Sequence, residues 1–180
     1  MLNTKYLIVR TQDGPAPVMN PYALGTCWFV SDYEIVENPD EEIVAIGEID
    51  PATTMVVDKR FSSFVEGKQF GETGSSSISL TDYKANHMTY ESQASSEQLA
   101  VFSEVYYPNG WNAYIDGEKA EHFRANWILR AMVVPAGQHT IEFKFEPAIY
   151  STGETISYAS SILLLLLIVG YAVIEIRKNI

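Results

Sequence analysis

Nineteen consecutive residues, Ile156–Ile174 (ISYASSILLLLLIVGYAVI), carry no charge. At about 1.5 Å per residue, a helix over them spans about 28 Å, close to the hydrocarbon thickness of a bilayer. Leu163–Leu167 offers no polar face, unlike an amphipathic helix packed on a soluble core. Tyr158 and Tyr171 fall near its two ends, where interfacial aromatic residues belong. A transmembrane helix is therefore expected over 156–174. It divides the chain into a domain at 1–150, a linker at 151–155, the helix, and a tail at 175–180.

The domain reads as short strands separated by turns. Tyr6–Arg10 is a strand, and Asp13-Gly14-Pro15-Ala16-Pro17 is a loop. Thr26–Val36 is one strand, or two broken near Ser31-Asp32. Asn38 (N-cap), Pro39 at the first helical position and Glu41 as in a capping box predict a short helix with Ile43 and Ile46 on one face, ending near Gly47. Thr53–Asp58, Ile78–Tyr83, His87–Ser92 and Gln98–Tyr107 are further strands, and residues 66–77 form a polar loop. Asp116-Gly117 predicts a tight hairpin between Trp111–Ile115 and Glu118–Phe123. Pro135-Ala136-Gly137 predicts a second, between Trp127–Val134 and Gln138–Glu146. In the last strand Ile141, Phe143 and Phe145 face one way, and Thr140, Glu142, Lys144 and Glu146 the other. Eleven Tyr, eight Phe and three Trp favour strands. The fold class is mainly β: an antiparallel, jelly-roll-like β-sandwich with one short helix, then the membrane helix.

Residues 1–155 carry 22 acidic against 10 basic side chains. Such a domain repels phosphate backbones, so nucleic acid is excluded as a partner. Cys27, the single cysteine, lies in an apolar run and reads as a small core residue.

The ordered turns Tyr106-Tyr107-Pro108-Asn109-Gly110-Trp111, Asp116-Gly117, Arg124-Ala125-Asn126 and Pro135-Ala136-Gly137-Gln138-His139, with the upstream runs Asn20–Gly25 and Trp28–Val30, resemble the C-terminal region of the YfhO family of bacterial multi-pass membrane proteins. Asn109 is an insertion relative to that pattern. The resemblance implies many membrane helices before this domain. It also implies a parent resembling glycosyltransferases that draw sugar from a lipid-linked phosphate donor to modify cell-envelope polymers such as lipoteichoic acid. Their acidic catalytic residues lie near the first membrane helices, so this chain is expected to be non-catalytic.

The residues agree with that expectation. His87, His122 and His139 are not spaced as metal ligands, and no nucleophile or phosphate-loop motif is present, so neither metal nor cofactor is expected. Asp40, Glu41 and Glu42 read as helix-start charges, and Asp58-Lys59-Arg60 as a solvated corner. The candidate binding surface is aromatic: Tyr107, Asn109, Trp111, Arg124, Asn126, Trp127 and Arg130. Aromatic faces stack on sugar rings while amides and guanidinium groups bond hydroxyls. The alternative is that these residues pack the core. A buried arginine needs a partner: Arg124 or Arg130 could pair with Asp116 or Glu104, or reach a phosphate on a lipid carrier.

MLNTKYLIVR is not a signal peptide, and Arg177-Lys178 after the helix places the C-terminus in the cytoplasm and the domain outside. The expectation is the outer domain and last membrane helix of a longer protein in the bacterial cytoplasmic membrane. Its partners would be the bilayer, the parent's other helices, and a cell-envelope glycan or lipid-linked sugar. Two alternatives stand beside it: a purely structural or interaction module, and a tail-anchored cytoplasmic protein.

Overall fold

The computed structural model describes residues 1–12, 14–71 and 73–178. Asp13 of the expected loop, Glu72 of the polar loop and residues 179–180 of the tail lie outside them. The chain forms two units, Met1–Phe145 and a C-terminal one from Glu146 onward.

Thirteen strands are described: β1 (Tyr6–Thr11), β2 (Gly14–Met19), β3 (Cys27–Val30), β4 (Asp32–Val36), β5 (Thr54–Asp58), β6 (Ser77–Lys84), β7 (His87–Ala94), β8 (Gln98–Val105), β9 (Trp111–Ile115), β10 (Glu118–Ala120), β11 (Phe123–Ala125), β12 (Leu129–Val134) and β13 (Gly137–Phe145). Two antiparallel sheets, β10-β9-β13-β7-β6 and β11-β12-β8-β3, face each other. The chain crosses repeatedly between them, as a jelly-roll-like sandwich requires. Their shared core holds Phe29, Phe102 and Met132 from the smaller sheet and Met88, Tyr90, Ile141 and Phe143 from the larger. Tyr90, Phe102 and Phe143 meet edge to face, with centroids 4.9 to 6.0 Å apart.

The smaller sheet is buried on its other face too. Trp28, Val30, Leu99, Val101, Phe123 and Leu129 pack there against Met55, Val57 and Val65. This explains the unbroken burial of Cys27–Val30 and of Gln98–Phe102, where one-sided strands would alternate. The covering layer holds β4 and β5, which pair in parallel as a separate two-stranded sheet beside the antiparallel sandwich. It also holds α1 (Pro39–Ala45), begun as expected: Asn38 Oδ1 accepts the Asp40 and Glu41 N–H groups, and Glu41 reaches back to the Glu37 N–H and the Asn38 side chain. Lys59–Phe64 forms a 3₁₀ turn.

Several expectations are corrected. Gly14–Pro17 of the expected loop lies in strand β2, and the two prolines sit where no ladder N–H is needed. Ile43 is exposed, and the buried face of α1 carries Glu42 and Ala45. Pro135-Ala136 closes no hairpin: β12 and β13 belong to different sheets, and the turn carries the chain across the sandwich. Trp127 precedes β12, in the turn between β11 and β12. The Asp116-Gly117 hairpin forms, both residues at positive φ (52° and 84°) as a two-residue turn demands. The expected linker is helical: α2 runs from Ala148 to Lys178, long and apolar enough to cross a membrane.

Phe143 touches both aromatic partners at the core's centre, so Phe143→Ala should cost about 3–5 kcal/mol. Urea unfolding of the variant against the wild type measures this.

Candidate functional site

Six of the seven residues of the expected aromatic surface separate into two places. Tyr107, Trp111 and Arg130 line one cleft of about 410 Å³, with Tyr83, Met88, Glu104 and Phe145 completing its wall. Arg124, Asn126 and Trp127 belong to a polar network on the far face of the smaller sheet. Asn109 is exposed in the turn before β9 and lines neither.

The cleft owes its shape to an irregularity in the smaller sheet. Along β12 and β8, Leu129 opposes Val105 but Arg130 opposes Phe102, so Ser103 and Glu104 bulge from the ladder. The Arg130 Nε donates to the Val105 carbonyl at 3.1 Å. Its guanidinium lies 4.3 Å from the Trp111 ring centre and 5.2 Å from that of Phe143. Arg130 is only 2% exposed, and its Nη1 finds no hydrogen-bond partner among the described residues. Burial pulls the Arg130 pKa down, and Glu104 opposes that. Burial pushes Glu104 up, and Arg130 draws it back. His122 packs between Tyr106 and Phe143. Burial, then the nearby Arg130, lowers its pKa to about 4, so it is neutral at pH 7. Three exposed rings rim the cleft: Tyr83 (60% exposed), Tyr107 (50%) and Phe145 (39%).

The second place is a buried lock. Arg124 Nη2 donates to Glu42 Oε2 at 2.7 Å and to Asp58 Oδ2 at 3.3 Å. Glu42 and Asp58, not Asp116 or Glu104, are therefore the partners of Arg124, and both have fully buried side chains. Asp58 also takes a two-point contact from Arg60 at 2.8 and 2.9 Å and caps the 3₁₀ turn, so it is not a solvated corner residue. The bonds to Arg60 come first in holding the Asp58 carboxyl below its ordinary value. Burial pushes Glu42 up, against the pull of the Trp127 N–H and Arg124.

This lock holds a left-handed corner. Asn126 and Trp127 have φ of 47° and 70°, unusual for residues with a Cβ and most of all for a tryptophan. Asn126 donates its N–H to the Val56 carbonyl at 2.9 Å, and its Oδ1 accepts the Val56 N–H at 2.8 Å. The Trp127 N–H donates to Glu42 Oε1 at 2.8 Å. Periodicity could have found Glu42: Ala45, Ile46 and Ile49 lie 3, 4 and 7 residues on, and all pack inward. No local signal marks Asp58, whose burial depends on the covering layer. A larger hollow of about 600 Å³ beside α1 is lined by Glu34, Asp40, Glu41 and Glu48, with no basic side chain in its lining among the described residues.

The fold and this cleft define the class: a β-sandwich with an aromatic-rimmed recess, followed in sequence by a helix able to cross a bilayer. The family model described as "Bacterial membrane protein YfhO" matches residues 68–157, half of the chain, and the protein belongs to that family. The cleft lining, from Tyr83 to Phe145, falls wholly within the match, whereas Glu42 and Asp58 lie before it. No curated protein and no solved structure matches the chain.

Arg124→Met leaves two buried carboxylates without their shared cation and should destabilise the domain by about 3–5 kcal/mol, read from denaturant midpoints. His139 Nδ1 lies 2.6 Å from Asp116 Oδ2, and its Nε2 lies 3.1 Å from the Ala136 carbonyl. Asp116, then that carbonyl, raise the His139 pKa, while His139 and the Thr140 N–H lower that of Asp116. The contribution of His139 is thus complete below the ordinary imidazole value of 6.5 and is lost as pH rises through the raised one. That of Asp116 is lost as pH falls through its depressed value. An NMR titration should place His139 above 6.5, and Asp116→Asn should return it toward 6.5.

Proposed function

We propose that this chain is the extracytoplasmic domain and the following membrane helix of a YfhO-type membrane protein, non-catalytic in itself. Its cleft holds a sugar ring of a cell-envelope glycan or of a lipid-linked sugar. The observation that carries this reading is the convergence of the exposed rings of Tyr83, Tyr107 and Phe145 on a recess floored by Arg130 and walled by Glu104. A sugar presents C–H faces to rings and hydroxyls that accept from a guanidinium and donate to a carboxylate. In the parent protein this recess would present the acceptor polymer to sugar transfer. Arg177-Lys178 in the last turn of α2 supports a cytoplasmic C-terminus and an outward-facing domain.

The second reading is a structural or protein-interaction module. It is favoured by the engagement of Arg124, Asn126 and Trp127 in holding the covering layer to the smaller sheet. One titration separates the two. The purified full chain in detergent micelles is titrated with soluble cell-wall oligosaccharides while tryptophan fluorescence is followed. A saturable change that Tyr107→Ala weakens by about tenfold, and that Trp127→Ala leaves intact, is the expected result. A folded chain with no response to any of these sugars would favour the structural module.

A further inference from the structure

The geometry points to the free edge of β1 as a homodimer interface, on which a second copy of this chain adds its own β1 antiparallel across a two-fold axis. Among the described residues, β1 and β2 form a sheet by themselves. A lone two-stranded ribbon is marginal in water, and this one is apolar on both faces. Tyr6, Leu7, Ile8 and Val9 are all exposed, Ile8 by 79%, and so are Val18 and Met19 of β2. A continuous apolar run of this kind belongs in a strand covered on both sides.

The two edges of the ribbon differ in chemistry. The Asn20 N–H bonds to the Lys5 carbonyl at 2.8 Å, and Leu7, Val9 and Thr11 oppose Val18, Ala16 and Gly14. Antiparallel alternation then turns the backbone groups of Lys5, Leu7, Val9 and Thr11 toward β2, and those of Tyr6, Ile8 and Arg10 outward. On β2 the outward positions opposite Arg10 and Ile8 are Pro15 and Pro17, which have no N–H to offer. One edge is thus guarded by proline, and the other presents three donors and three acceptors.

That open edge matches its own copy. The outward residues 6, 8 and 10 are symmetric about Ile8. A two-fold axis there pairs Ile8 with Ile8 and Tyr6 with Arg10 of the second copy, and all the outward groups on both strands are satisfied. The Arg10 guanidinium then faces a tyrosine ring, and Lys5 faces Thr11. Shifting the register by one residue would set Lys5 against Arg10, like charge on like. The resulting four-stranded sheet ends at both sides on a proline-guarded β2, so the assembly closes at two copies.

The test uses the full chain in detergent micelles. Sedimentation and light scattering should show two protomers for the wild type. Ile8→Pro removes an outward N–H that the ribbon itself does not use, and should raise the dimer dissociation constant by about tenfold or more. Ile8→Lys leaves the backbone intact and sets two like charges across the axis, and should also give single protomers. Circular dichroism should stay unchanged for both variants. Mild oxidation of Ile8→Cys should give a disulfide-linked dimer. A wild type that stays a single protomer at every concentration, an Ile8→Lys chain that dimerises as tightly as the wild type, or a β1 edge protected from amide exchange in a single protomer would each overturn the proposal.

Discussion

The two-sided burial of the smaller sheet is the constraint on which the rest depends. Strands β3, β8 and β12 carry apolar side chains on both faces, so each face needs a cover. The larger sheet supplies one. The other is made from β4, β5, α1 and the 3₁₀ turn, held to the sheet by the contacts of Arg124 with Glu42 and Asp58 and by the Asn126 clasp on Val56. Two carboxylates and a guanidinium at such a seam cost desolvation, which short charged hydrogen bonds offset. What they contribute is position. They fix where the cover sits and hold the β11–β12 turn in its left-handed conformation.

The cleft arises where that regular burial is interrupted. The bulge at Ser103-Glu104 breaks the β8–β12 ladder, brings Arg130 to the recess floor against Trp111, and leaves Glu104 in its wall. Arg130 keeps its place through the Val105 carbonyl and two ring faces rather than through a carboxylate bonded at short range. The two arginines, six residues apart in one stretch of sequence, therefore have different environments. Arg124 is occupied inside the protein, and Arg130 stands beside solvent-exposed rings.

The local chemistry of the strands and turns is legible in the residues themselves. Asp116-Gly117 forms its hairpin because few other residues accept two successive positive φ angles. Asn38, Pro39 and Glu41 cap α1 because the bonds are made within the first turn. The unbroken apolar stretch forms a helix because such a segment must satisfy its own backbone. Three of the seven proposed site residues, Tyr107, Trp111 and Arg130, share one cleft. The inward face of Glu42 was legible in the spacing of Ala45, Ile46 and Ile49, but its pairing with Arg124 was not, nor was that of Asp58, because both acids lie more than sixty residues upstream of the arginine. Pro135-Ala136 carries the same residues whether it closes a hairpin or crosses between sheets.

The sequence by itself determined what is decided within a few residues: strand periodicity, caps, turn conformations and the apolar helix, together with the family that these turns mark. Tertiary structure decided which strands share a sheet, which face of α1 turns inward, and which arginine reaches the cleft. Those outcomes depend on burial and charge pairing between segments far apart in the chain, where competing arrangements of the same local pieces differ only in how their buried polar groups are matched.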